Sequence, residues 1–284
     1  MCTTSINTPY PSLSGQLGKV YLVGAGPGAV DLITVRGAKL LEQADIVFYD
    51  ALVDPEMLHL CPQAVQVAVG KRCGKLSSAQ QFINKRLVDA AQKYQTVVRL
   101  KGGDPMLFGR ADEEIQTLKA AGIVVKVVPG ITAALAGAAS IQQSLTLRGV
   151  SRSVAFVTLA QGTENLTTGQ PIANPSADTL VYYMGRKDAA KIAQRLIEQG
   201  QYGGTHQQDT PVQILEAVST PRERFWSSTL QELADGKADT WFDSSSPALI
   251  MVGEALRDPL QSTSAKINNG LQDSHIFANS RRRA

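Results

Sequence analysis

The stretch Val98-Arg99-Leu100-Lys101-Gly102-Gly103-Asp104-Pro105, continuing as Met106-Leu107-Phe108-Gly109-Arg110, decides the reading of this chain. Val97 to Leu100 predicts a short strand, and it runs straight into a glycine pair followed by Asp-Pro. Glycine reaches positive φ and lets a backbone pass close to a ligand, because it has no Cβ. Pro105 restricts Asp104 to extended backbone and so puts it on a sharp turn. Open α/β sheets bind ligands in loops at the carboxyl ends of their strands, although an ordinary strand-to-helix turn has the same local pattern. A second such end, Val20 to Val23 leading into Gly24-Ala25-Gly26-Pro27-Gly28, points to one composite pocket.

Outward from these loops, apolar runs alternate with helical patterns. Strands are expected at 20–23, 46–49, 65–69, 97–100, 124–127, 154–159, 179–183, 212–215 and 249–252. Helices are expected at 32–44, 79–93, 111–121, 133–142, 188–198 and 230–234. Such alternation predicts an α/β fold with mostly parallel sheets, here in two domains. The expected divisions are a flexible leader at 1–17, an N-terminal α/β domain at 18–131, a C-terminal α/β domain at 132–258 and a disordered basic tail at 259–284. Leu145 to Val150 reads as a linker, and 161–177 and 202–209 as polar insertion loops.

The 284 residues are ample for a real core, and 43% hydrophobic with 19% charged residues excludes a disordered chain. A net charge of +3 is too mild to argue for nucleic acid, but convergent basic residues would suit an anionic small molecule. No apolar run is long enough to span a bilayer, so no membrane partner is expected. Met1 to Leu17 lacks the basic start and apolar core of a secretory signal. Cys2, Cys61 and Cys73, like His59, His206 and His275, are scattered, which gives neither a disulfide framework nor a metal site. A reducing, cytoplasmic setting fits this usage.

Several loops could carry chemistry. Gly24-Ala25-Gly26-Pro27-Gly28-Ala29 satisfies G-x-G-x-x-A after a strand, with Asp45 and Asp50 near where a dinucleotide fold places its ribose-binding acid. An NAD-dependent oxidoreductase is therefore a rival reading. Pro27 opposes it, since the pyrophosphate turn needs backbone N–H groups and proline has none. Asp50 ends an apolar strand and is either a turn carboxylate or a base at the mouth of a cleft. Val69-Gly70-Lys71-Arg72-Cys73-Gly74-Lys75 is either a solvated basic loop or a carboxylate-binding one. Arg36, Arg110, Arg148 and Arg152 are further basic candidates. Met184, ending Tyr182-Tyr183-Met184-Gly185, is either core filler or the wall of an adenine or sulfonium site.

Taken in order, Val20–Gly28, Tyr49-Asp50-x-Leu52-Val53, Val69–Arg72, Arg99–Pro105, Val128-Pro129-Gly130-Ile131-Thr132-Ala133 and Ser246–Ile250 resemble the tetrapyrrole methylase family. The resemblance covers roughly Gly18 to Leu256, and its Tyr-Asp-x-Leu-Val and Gly-Lys-Arg pieces favour members that methylate uroporphyrinogen III on carbon. It implies two α/β domains forming a cleft, a homodimer, S-adenosyl-L-methionine as donor, no metal, and a small-molecule tetrapyrrole substrate. It implies methylation at two adjacent rings to give precorrin-2, for sirohaem and cobalamin synthesis. By the same resemblance Pro27, Gly102, Gly103, Asp104, Leu107, Thr132, Ala133, Met184 and Ala217 or Val218 would contact the donor. Asp50 would accept a proton and Lys71 donate one. Lys71, Arg36, Arg72, Arg110 and Arg148 are expected to meet the substrate carboxylates. Any Cβ at Gly102 or Gly103 is expected to intrude on the donor. A dehydrogenase–chelatase domain is not expected ahead of Gly18, where there is no room for one. Departures from the family pattern fall at Ala29-Val30, Ala51, Leu147, Leu159-Ala160 and Ala217-Val218-Ser219. Same-fold methylation of a later corrinoid intermediate, and a non-catalytic tetrapyrrole carrier, remain alternatives.

Overall fold

The computed structural model describes residues 17–69, 76–158 and 176–258. Two compact units emerge. Of the described residues, the first takes those up to 137 together with 217–223, and the second takes 138–158, 176–216 and 224–258.

The first unit carries β1 (Lys19–Gly24), α1 (Val35–Glu42), β2 (Ile46–Tyr49), β3 (Val65–Ala68), α2 (Leu76–Ala91), β4 (Thr96–Lys101), α3 (Ala111–Ala120), β5 (Val125–Val128) and the start of α4 (Ala133–Ser140). Its sheet has the order β3-β2-β4-β1-β5, and every pairing is parallel. All strand carboxyl ends therefore lie on one edge. Strand side chains alternate between faces. Val20, Leu22, Phe48 and Val97 pack with Leu87 of α2 and Leu118 of α3. Val23, Val47, Val98 and Leu100 pack instead with Leu41 of α1 and with Met57, in the 3-10 turn Pro55–Leu60. The helix expected at 32–44 divides into a 3-10 turn, Val30–Leu32, and α1, because the extended Thr34 caps α1 by accepting from Gly37 N–H at 3.1 Å.

The second unit carries β6 (Val154–Thr158), β7 (Thr179–Tyr183), α5 (Ala189–Gln201), β8 (Pro211–Glu216), β9 (Arg224–Thr229), α6 (Leu230–Ala234) and β10 (Ala248–Gly253). Its order is β6-β7-β10-β8-β9. Only β6 and β7 pair in parallel, and the other three pairings are antiparallel. The expectation of mostly parallel sheets thus holds for the first unit and is corrected for the second. Two of the three antiparallel pairings belong to β10, and the third belongs to β9, whose Arg-Phe-Trp-Ser-Ser-Thr sequence is half exposed and shows no apolar run. It forms a hairpin with β8, a connection open only to antiparallel neighbours. The expected linker at 145–150 is a tight turn, closed where Leu147 N–H donates to the Ser151 carbonyl at 3.0 Å.

The hairpin is fastened by a buried carboxylate. Glu216, fully buried, accepts from Arg224 Nε at 2.8 Å and from Asp243 N–H at 3.0 Å, while the Arg224 guanidinium lies over the Trp241 ring at 4.3 Å. The Glu216 side chain is 1% exposed and that of Arg224 43%. Removing the exposed partner strands the buried charge, whereas removing the buried one frees an arginine that water can reach. Arg224→Ala should therefore cost about 1–3 kcal/mol, the range for leaving a buried acceptor unsatisfied, and Glu216→Ala less. Urea unfolding of the two variants checks this order, and the reverse order would contradict it.

Candidate functional site

The first unit's carboxyl edge is knitted by backbone. Gly26 and Gly103 exchange two hydrogen bonds, Gly26 N–H to the Gly103 carbonyl at 3.2 Å and Gly103 N–H to the Gly26 carbonyl at 2.6 Å. The β5 end joins them at Gly130, whose N–H donates to Asp104 Oδ2 at 2.8 Å. A Cβ at Gly130 would lie 2.2 Å from the Gly103 carbonyl oxygen and 2.8 Å from Gly24 Cα. Asp104 Oδ1 accepts from Met106 N–H at 2.8 Å, so this carboxylate shapes the loop with both oxygens. Three strand-end loops, the two glycine loops and the one at Gly130, are thus joined at one edge.

The two central glycines have different surroundings within the chain. A Cβ at Gly102 would strike Leu52 Cβ at 2.6 Å, within the chain itself. Gly103 has φ +69° and a Cβ there would meet nothing within 4 Å. Its missing side chain leaves bare backbone facing open space.

Residues 217–223 complete this unit's edge. Ser219 Oγ accepts from Ala29 N–H at 3.1 Å, and a Cβ at Gly28 would lie 2.6 Å from Thr220 Cγ2. Ala217 and Ser219 hold φ +48° and +61° without being glycine. The segment is fixed where Thr220 Oγ1 donates to the Ala217 carbonyl at 2.7 Å and Ser219 N–H donates to Glu223 Oε2 at 2.6 Å.

Asp50 stands one strand away, directly after β2. Its Oδ1 accepts from Leu52 N–H at 3.0 Å, and a Cβ at Gly102 would lie 3.6 Å from that oxygen. Its Oδ2 lies 3.4 Å from Arg99 Nη2. Arg99 Nε donates to Glu114 Oε1 at 3.2 Å, and Lys101 Nζ donates to Glu114 Oε2 at 3.1 Å. Gln80 Nε2 from α2 also donates to Glu114 Oε1, at 3.2 Å. Two cations and two carboxylates thus alternate from the core to the surface. The Asp50 side chain is 25% exposed, and none of the other three exceeds 5%. Desolvation pushes the Lys101 ammonium below the ordinary lysine range, with Arg99 adding to the effect and Glu114 opposing it.

The sequence reading missed Arg99, Lys101 and Glu114 as a group. The available signal was two cations two residues apart on a strand flanked by other strands. They share one face, and buried charges demand an anion.

The remaining candidates fall as follows. Thr132 is buried at the start of α4, beside Ala133, and Leu107 N–H donates to the Asp104 carbonyl at 3.3 Å. Arg36 is exposed on α1, and Arg110 donates to Glu113 through Nε at 2.6 Å and Nη2 at 2.7 Å. In the second unit, Met184 follows β7 with φ +56°, and Arg148 is exposed in the 147–151 turn. Lys71, Arg72 and the departure at Leu159-Ala160 lie outside the described residues. Asp45, the other acid weighed for a dinucleotide site, precedes β2 and ties down Gln95 and Thr96 N–H at 2.9 and 2.8 Å. It therefore sits at the amino edge, away from the glycine loops. Among the described residues no group of His, Cys, Asp and Glu could hold a metal, and no helix is long and apolar enough to cross a membrane.

The close backbone approach makes a prediction. Gly130→Ala forces two backbone segments apart and should cost about 1–3 kcal/mol through overpacking, and it should also weaken donor binding. Gly103→Ala meets no neighbour and carries only left-handed strain, about 1–2 kcal/mol. Chemical denaturation and S-adenosylhomocysteine calorimetry read both effects. Unchanged affinity in Gly130→Ala would show that the joined loops do not form the donor floor.

The profile of the tetrapyrrole (corrin/porphyrin) methylases matches residues 19–234. A uroporphyrinogen-III C-methyltransferase of Pseudomonas aeruginosa is 42% identical over 241 residues, covering 85% of this chain and 95% of that protein. A siroheme synthase of Psychrobacter is 42% identical over 268 residues, and this chain spans only about half of it, 53%. A solved uroporphyrin-III C-methyl transferase of Thermus thermophilus, complexed with S-adenosylhomocysteine, superposes with a TM-score of 0.70 at 38% identity, covering 84% of this chain and 94% of that one. The profile match runs from β1 into α6, and the chain belongs to the tetrapyrrole (corrin/porphyrin) methylase family.

Proposed function

We propose that this chain is an S-adenosyl-L-methionine-dependent C-methyltransferase acting on uroporphyrinogen III. It methylates two adjacent rings to give precorrin-2, which supplies sirohaem and cobalamin synthesis. The observation that carries this reading is the bare, open backbone at Gly103, next in the chain to Gly102, which packs near the Asp50 carboxylate, on an edge where three strand ends meet. The 42% identity to the Pseudomonas methyltransferase across nearly all of that protein supports it. The carboxyl-edge loops, with Pro27, Gly103, Asp104 and Thr132, would hold the donor, joined by Gly102, Leu107, Ala133 and the Ala217-Val218 pair. In the second unit, Met184 is the candidate donor contact.

The donor supplies a methyl group on a positively charged sulfur. A nucleophilic pyrrole carbon forms the new C–C bond as the C–S bond breaks, and sulfur keeps that electron pair. The methylated ring is then cationic and must lose a proton, which the Asp50 carboxylate accepts. Catalysis otherwise rests on holding the two reactants in line. Lys71, Arg36, Arg72, Arg110 and Arg148 are the cations proposed to bind the substrate carboxylates, and Lys71 is the proposed proton donor. A homodimer in the cytoplasm completes the reading.

Incubation with uroporphyrinogen III and labelled S-adenosylmethionine, followed by product mass, is expected to show two added methyl groups. Turnover only with a later corrinoid intermediate would overturn the substrate assignment, and binding of porphyrinogen without turnover would make the chain a carrier. S-adenosylhomocysteine should raise the melting temperature and NAD should not. Asp50→Asn keeps shape and removes basicity, so kcat should fall about 10²–10⁴-fold, the range for acid–base groups, with donor affinity kept. A variant that transfers methyl groups at the parental rate would contradict the role of Asp50.

A further inference from the structure

The charge cluster beneath Asp50 is expensive to maintain. Replacing buried ion pairs with apolar side chains of similar volume is often neutral or stabilising, and this one fills a face otherwise packed with Val97, Leu87 and Leu118. Stability alone therefore does not account for it. Its layout is directional. Glu114, in the first turn of α3, is fixed by Gln80, which also donates to Asn84 Oδ1 at 3.0 Å. Asn84 in turn donates to Thr117 Oγ1 at 3.0 Å. Glu114 spends one oxygen on Arg99 Nε and the other on Lys101 Nζ. Arg99 Nη1 is held by the Leu100 carbonyl at 2.8 Å, which leaves Nη2 directed at Asp50. Each link immobilises the next, and the last, Asp50, stands at the carboxyl edge directly after β2.

We infer that Glu114 is a positioning residue for the methyl-transfer reaction, holding the Arg99 guanidinium and through it the Asp50 carboxylate in the orientation that accepts the proton. Lys101 neutralises the second oxygen of Glu114, so the anchor does not carry an unbalanced charge into the core. The inference rests on the role proposed for Asp50, and its test separates the two.

Glu114→Gln preserves shape and removes the anion. In the ligand-free protein, the Leu52 amide bonded to Asp50 Oδ1 is expected to exchange with solvent about tenfold faster by NMR, while the β5 amide of Val127 is unaffected. In turnover, kcat is expected to drop about 10–100-fold, the scale of a misplaced catalytic group, with S-adenosylhomocysteine affinity within about twofold of the parent. In an Asp50→Asn background the same substitution should produce no further loss, because residues acting as a unit are not additive. Unchanged Leu52 exchange, parental kcat or full additivity with Asp50→Asn each overturns the inference. If Asp50→Asn alone transfers methyl groups normally, the Asp50 reading fails first and the inference falls with it. If Asp50→Asn is impaired and Glu114→Gln is not, only the inference fails. Should Glu114→Gln not fold, the charge-balanced Glu114→Gln/Lys101→Met pair replaces it. The same loosened Leu52 amide and lowered kcat are then expected, and parental behaviour overturns the inference.

Discussion

Two hydrogen bonds between glycine backbones, from Gly26 to Gly103 and back, constrain everything at the edge of the first unit. They exist only because no Cβ stands between β1, β4 and β5. The positions that would carry one, Gly24 and Gly130, lie against backbone closer than any real Cβ could tolerate. Parallel strands normally diverge into separate loops at their carboxyl ends. Here the loops are drawn into one surface, and Asp104 pins it by accepting from Gly130 and Met106 N–H groups. The bare backbone at Gly103 is a consequence of that closure.

The same central strand that supplies a glycine loop also carries buried charge. Val98 and Leu100 serve an apolar face, while Arg99 and Lys101 serve the other. Glu114 pairs with both cations, and with Asp50 the four charges sum to zero. Hydrogen bonds from Gln80 to Glu114 and from Arg99 to the Leu100 carbonyl add to the ion pairs. A network of linked ion pairs and hydrogen bonds is rigid, and it leads to one carboxylate, Asp50, at the edge where the glycine loops meet. In this account the backbone supplies a place for a donor, and the buried charges supply an oriented proton acceptor.

Much of this was legible in the sequence. The strands at 46–49 and 179–183 have the expected bounds, the helix at 230–234 likewise, and the glycine loops lie where their pattern put them. Those elements have strong local signals, either a bounded apolar run or a cap. What escaped depends on partners distant in sequence. Nothing in Arg-Phe-Trp-Ser-Ser-Thr marks β9 as a strand until Glu216 takes Arg224 and Trp241 lies under the guanidinium. Glu114 reads as a first-turn helix acid, one of three in a row with Asp112 and Glu113, and only the fold sets it against β4. The division of labour between Gly102 and Gly103 is likewise invisible locally, since it follows from where Leu52 packs.

The central claim is that the joined backbone of β1, β4 and β5 forms the floor on which the methyl donor lies. Titrating the isotopically labelled protein with S-adenosylhomocysteine and following its amide resonances tests this most directly. The account predicts saturable shifts that are largest at Gly26, Gly102, Gly103, Asp104 and Thr132, with the amino-edge amides of Gln95 and Thr96 unmoved. Saturable binding that leaves the glycine-loop amides in place would contradict it.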